Sequence, residues 1–177
     1  MQRRVLLTLM AAGTVAGVAG LAGCGFELRK APNFPFKTLY SPFAESSTLG
    51  TELKRSLESG GNVTVITDSR LIDQADVILD VLGDVRQKIV VSRNAAGLVR
   101  EFQLVLRFTF RLRTPQGREL IPSAEIVQQR DISFNESAVL AKESEEALLY
   151  REMQSDTVQQ IMRRLAAVTN LQGAPNQ

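Results

Sequence analysis

The chain contains no histidine and only one cysteine, Cys24. The first absence removes the commonest general base and the commonest metal ligand together. The second leaves no partner thiol, so no intramolecular disulfide is available to staple the fold. Signatures of catalysis are missing as well: there is no Gly-x-Ser-x-Gly elbow, no Ser-x-x-Lys pair and no cluster with metal-ligand spacing. Serines and acids are present, and a carboxylate pair needs no histidine. A hydrolase would therefore have to work from residues that no motif brings together. A non-enzymatic role is expected, with no cofactor and no metal, and there is no internal repeat.

One long uncharged run is present, Val5 to Ala22, preceded by Arg3 and Arg4. A positive start followed by an apolar stretch reads as a secretory signal peptide. It ends in Leu21-Ala22-Gly23-Cys24, which looks like a bacterial lipobox. In such sequences the cysteine thiol receives a diacylglycerol, and cleavage frees an amine that is commonly acylated too. A membrane-spanning helix is the competing reading, since about 18 to 20 apolar residues can cross a bilayer. The run is mostly Ala, Gly and Thr, however, and it stops at the cysteine. Each buried CH₂ contributes about 0.8 kcal/mol, so two or three chains on Cys24 make a lasting anchor. Gly25, not aspartate, follows the cysteine, which favours transfer to the outer membrane over retention at the inner one. The folded part is expected to face the periplasm.

The signal carries two arginines and no acid, so its removal leaves 19 residues of each sign in the mature chain. Nothing in that balance points to nucleic acid. The expected organisation is a signal peptide over 1–23, a lipid-anchored linker over 24–35, a domain over 36–168 and a polar tail over 169–177. Pro32 and Pro35 fix two φ angles in the linker. Phe36–Tyr40 reads as a short strand. Leu49, Leu53 and Leu57 then recur every fourth residue behind Ser46 or Ser47 as a cap, which predicts a helix to about Glu58. A β-branched run predicts a strand over 62–67.

Two long strands follow, Val77–Val91 and Leu98–Arg113, joined by the turn residues Asn94-Ala95-Ala96-Gly97. In the second, the even residues from Phe102 to Leu112 are apolar. In the first, the odd residues Val77, Leu79, Val81, Val85, Ile89 and Val91 are apolar, with Asp80, Asp84, Arg86 and Lys88 opposite. Apolar positions of opposite parity require facing pairs of one odd and one even residue, or a bulge between the arms. Glu125–Phe134 predicts another strand. Apolar residues at spacings of three and four predict a last helix from about Ala138 to Val168. The expected fold is α+β, a two-layer sandwich with two helices on one face of a mixed, mainly antiparallel sheet of four strands or slightly more.

Charge is unevenly spread. From Arg86 to Arg118 there are eight basic residues, Arg86, Lys88, Arg93, Arg100, Arg107, Arg111, Arg113 and Arg118, against Glu101 alone. Two readings stand side by side. The arginines pair across strands with the upstream aspartates on a solvated sheet face, or they form a polyanion site, for which a planar guanidinium suits phosphate oxygens. Phosphorylated lipopolysaccharide is the polyanion of that compartment. Single-stranded nucleic acid would want aromatics interleaved with the arginines, and here they alternate away from them.

Cys24-Gly25-Phe26-Glu27-Leu28-Arg29 resembles the start of the LPS-assembly lipoprotein family LptE. Arg100-Glu101-Phe102-Gln103-Leu104, Leu140-Ala141-Lys142-Glu143, Arg151-Glu152-Met153 and Gln159-Gln160-Ile161 fall where that family has similar stretches. The resemblance runs from Cys24 to about Val168. It implies two helices on a four-stranded mixed sheet and a non-enzymatic plug inside an LptD-type outer-membrane β-barrel. That plug supports barrel assembly and passage of lipopolysaccharide, and it is held to the membrane by its lipid. The family's lipopolysaccharide contacts would fall on Arg93 and Lys142, the latter otherwise a solvated first-turn lysine. Arg86, Lys88, Arg107 and Arg111 are further candidate contacts. Another outer-membrane adaptor, such as a secretin pilot, is the alternative.

Overall fold

Five strands and two principal helices build the domain. In the computed structural model, residues 32–61 and 63–169 are described. Cys24, the signal segment, most of the linker and the tail beyond Thr169 lie outside them. The elements run β1 (Thr38–Tyr40), a helical turn (Phe43–Ser46), α1 (Thr48–Gly61), β2 (Thr64–Ile66), a 3-10 segment (Ser69–Gln74), β3 (Val77–Arg93), β4 (Val99–Arg113), β5 (Glu119–Ser133) and α2 (Val139–Ala166). The sheet order is β2-β1-β3-β4-β5. β1 lies parallel to β2 and to β3, and β3, β4 and β5 are antiparallel. The expected class holds, with five strands.

Local chemistry explains most of the boundaries. Ser47 Oγ accepts the Gly50 N–H at 2.9 Å, closing the first turn of α1 as an N-cap. Leu49, Leu53 and Leu57 are buried along one stripe of that helix. In the β3–β4 turn, Asn94 Oδ1 accepts the Ala96 and Leu98 amides at 3.0 and 2.9 Å. Gly97 (φ 83°) and Gly117 (φ 90°) supply the left-handed residue that each hairpin turn requires. Strand β5 starts earlier than expected, at Glu119. It accommodates Pro122, which has no N–H, at a register shift on the free edge of the sheet.

The core lies between the sheet and the two helices. Leu39, Val77, Leu79, Phe108, Phe110, Leu112 and Ile126 meet Leu49, Leu53 and Leu57 of α1 and Val158, Ile161 and Leu165 of α2. A second cluster, Leu104, Leu106, Ile132 and Met153, extends it toward the β3–β4 turn. A third sits on the opposite face of the sheet. There the 3-10 segment covers Tyr40, Ala75 and Ile78, so that face is not wholly open as the two-layer reading expects. Asp76 ties this cover to β1, accepting the Lys37 and Thr38 amides at 2.8 and 3.0 Å. Burial raises the Asp76 pKa, but these amide hydrogen bonds outweigh it and hold the carboxyl below its ordinary value.

The sequence reading of β3 needs correction. Facing pairs combine odd with even residues as far as Val81–Phe110, and like with like from Gly83–Thr109 to Val90–Phe102. A bulge at Leu82 inserts the extra residue, and the side chains from Gly83 to Val90 change face. Arg86 and Lys88 stand opposite Leu106 and Leu104 on the helix side. Val85 and Ile89 stand opposite Arg107 and Gln103 on the outer side, where they are 43% and 44% exposed. Val91 falls at a second irregularity near the hairpin end.

Candidate functional site

The basic residues from Arg86 to Arg113 fall into three groups. On the helix side, Arg86 Nη2 donates to Gln154 Oε1 at 3.0 Å and to Thr48 Oγ1 at 3.4 Å, and its guanidinium lies over the Tyr150 ring. Gln154 in turn donates to Glu52 at 2.8 Å, so the group links α1, α2 and β3. Burial, and then the Glu146 charge, push the Tyr150 pKa up against the opposing Arg86 charge. Its hydroxyl donates to the Gln87 carbonyl at 2.8 Å. Lys88 bonds Glu146 at 2.6 Å and sits 4.4 Å over the Phe102 ring.

On the outer face the arginines are paired, as the solvated-face reading expects. Arg107 meets Glu125 at 2.7 Å. Arg111 and Arg113 share Asp80 at 2.8 and 2.7 Å. Burial raises the Asp80 pKa, but the hydrogen bonds from Arg113 and Arg111 prevail and lower it overall. Opposite charges are thus matched across this face, and the field it presents to a distant polyanion is correspondingly weak.

The third group is the hairpin end. Arg93 is exposed, and its Nη1 donates to the Gly97 carbonyl at 3.0 Å, folding over the turn. Arg100 is also exposed. Lys142, in the first turns of α2, donates to Ser133 Oγ at 2.9 Å and to Glu145 at 2.8 Å. A hollow of about 220 Å³ opens beside it, lined by the apolar Phe102, Ile132, Phe134 and Val139 and by the polar Lys88, Ser133, Lys142, Glu143 and Glu146. Of the residues singled out from sequence, Lys88 and Lys142 share a site. Arg107 and Arg111 lie on the other side of the sheet. Gln154, Thr48 and Glu146 were not singled out. They come from elements far apart in sequence, and only the bulge brings them to Arg86 and Lys88.

No group of three or more metal-ligating side chains occurs among the described residues, and no described helix is long and apolar enough to cross a membrane. The described residues form an α+β domain, two principal helices on a mixed five-stranded sheet with a long basic hairpin. Residues 36–165 match the family described as LptE, Lipopolysaccharide-assembly, and the chain belongs to that family. It is 32% identical to the LPS-assembly lipoprotein LptE of Yersinia enterocolitica, over 95% of this chain and 78% of the relative. The same figures hold for the protein of that name from Yersinia pestis. Among solved structures, lipoprotein B of Nitrosomonas europaea matches with a TM-score of 0.68 at 34% identity, covering 82% of this chain and 92% of that one. The rare lipoprotein B of Shewanella oneidensis shares the fold, with a TM-score of 0.61 at 22% identity over 73% and 94% of the two chains. The family is one of non-enzymatic, outer-membrane-associated lipopolysaccharide-assembly lipoproteins.

Proposed function

We propose that this chain is anchored through lipidated Cys24 and seats its domain in the lumen of an LptD-type β-barrel. There it supports assembly of the barrel and passage of lipopolysaccharide to the cell surface. The observation that carries this reading is the family match across the whole domain, residues 36–165. The outer sheet face supports it physically. Its charges are matched in pairs, and a barrel lumen is a polar surface on which such a face can rest. Val85, Ile89 and Val127 on that face add apolar contact area for a protein wall.

Lipopolysaccharide is contacted at the hairpin end, with Arg93 and Lys142 nearest the ligand and Lys88 beside them. Arg86 serves that end by holding β3 against α2. Arg107 and Arg111, paired on the outer face, contribute less to the ligand than to the shape of that face.

A tagged copy extracted from membranes tests the partner. An LptD-like barrel is expected to copurify, whereas a secretin ring without such a barrel would establish the pilot reading instead. Arg93→Glu with Lys142→Glu is expected to weaken binding of purified lipopolysaccharide about tenfold while leaving the thermal transition in place. Unchanged binding would clear both residues of the role.

A further inference from the structure

The hollow beside Lys142 exists because two surfaces change character at different points. On β4, the helix-facing side stays apolar to its end, where Leu106 and Leu104 are followed by Phe102, and at the end of β5 Ile132 is followed by Phe134, just past the strand. Phe102 and Phe134 pack edge to face, 5.3 Å apart. On α2, the inward stripe is apolar only over its later turns, where Met153, Val158, Ile161 and Leu165 are buried. Leu149 and Tyr150, one turn earlier, still pack against this end of the core, but two and three turns before Met153 the same stripe carries Glu146, Glu143 and Lys142, ending at Val139. These polar side chains reach sideways to Lys88 and Ser133. The aromatic floor is left without an apolar lid.

We infer that this hollow takes part of one acyl chain of lipopolysaccharide, with Lys142 at its margin receiving a phosphate oxygen of the same molecule. The inference rests on the reading of the chain as a lipopolysaccharide-binding protein, and it adds a place for the lipid half of the ligand. Size limits the occupant. About 220 Å³ is below the roughly 300–1,000 Å³ of a pocket that encloses a whole small ligand, and it suits a segment of one alkyl chain. Chemistry limits it further. Phe102, Ile132, Phe134 and Val139 offer carbon, and an alkyl chain is stabilised by leaving water for such a surface. Lys142 has three N–H donors and spends two on Ser133 and Glu145. The remaining one is available for an anionic headgroup.

Affinity measurements with the complete chain test this, using three probes. These are purified lipopolysaccharide, the same material stripped of its acyl chains, and vesicles of phosphatidylglycerol with phosphatidylethanolamine. Val139→Trp fills the hollow from an exposed helix-start position, and Val139→Asp places a charge in it without adding bulk. Each is expected to weaken intact lipopolysaccharide about tenfold and to leave the stripped form unchanged, with the helical circular-dichroism signal retained. Unchanged binding of intact lipopolysaccharide by both variants, while Lys142→Glu still weakens it, would overturn the acyl site and leave the wider reading standing. Loss confined to the phospholipid vesicles would overturn lipopolysaccharide as the occupant. Failure of the unaltered chain to bind lipopolysaccharide at all would remove the wider reading itself.

Discussion

The two halves of β3 belong to one continuous strand and live in different environments. From Val77 to Leu79 the strand is central, with β1 on one side and β4 on the other, and Val77, Ile78 and Leu79 are almost wholly buried. β1 pairs only with Val77 and Ile78, so from there to Arg93 the strand is an edge held by β4 alone. In that second half, Leu82, Val85, Ile89, Val90 and Val91 are all at least 38% exposed. A long exposed edge invites unwanted pairing, and bulges and charges are the usual protection. This edge has a bulge at Leu82 and irregularities near Ser92, and it carries Asp84, Arg86 and Lys88. The lesson is that the same β-branched composition serves as core in one half and as contact surface in the other. The neighbouring strand makes the difference.

Three perturbations separate the halves, beginning with the most severe. Val77→Asp places an unpaired carboxylate at a fully buried position of the first half. The expected outcome is loss of the cooperative urea transition and binding of an apolar dye. A retained cooperative transition would mean that the first half is not core.

Next come matched truncations on the two sides. Leu79→Ala, at a fully buried position of the first half, is expected to cost about 2–5 kcal/mol by chemical denaturation. Val85→Ala, on the exposed half, is expected to change stability by about 0.5 kcal/mol or less. Similar costs at both would erase the distinction between core and contact surface.

The mildest is the acid limb. The Asp80 pKa is lowered in the folded state, so its contribution is fully present above the unfolded carboxylate value of about 3.9 and is lost as pH falls through the folded one. Asp80→Asn is expected to reduce stability at pH 7 by about 1–2 kcal/mol and to flatten the fall in stability below about pH 4. An unchanged acid profile would show that Arg111 and Arg113 hold this end of β3 without their carboxylate.

Much of this architecture could be read in advance. Helix α1 followed from the spacing of three leucines and a serine cap, and the β3–β4 turn from Asn94 and Gly97. The buried face of β4 followed from its unbroken alternation. Each depends on residues a few positions apart, which act through local geometry. The cover formed by Ser69–Gln74 was not foreseen, because a short 3-10 segment has no long period to detect. The early start of β5 was obscured by Pro122, which argues against a strand unless it lies on an edge. The candidate site was half visible. Arg93 and Lys142 stood out by resemblance, but Lys88, Phe102, Phe134 and Val139 form one hollow only after three strands and a helix have come together.

The amino-acid sequence alone determined the principal elements, their order and the family to which the chain belongs, since periodicity, caps, turns and motifs are properties of neighbouring residues. Only the tertiary structure decided which way Arg86, Lys88, Val85 and Ile89 point. A single inserted residue at Leu82 reverses the facing of the residues from Gly83 to Val90, and the place of that insertion is set by the register with β4 rather than by anything within β3.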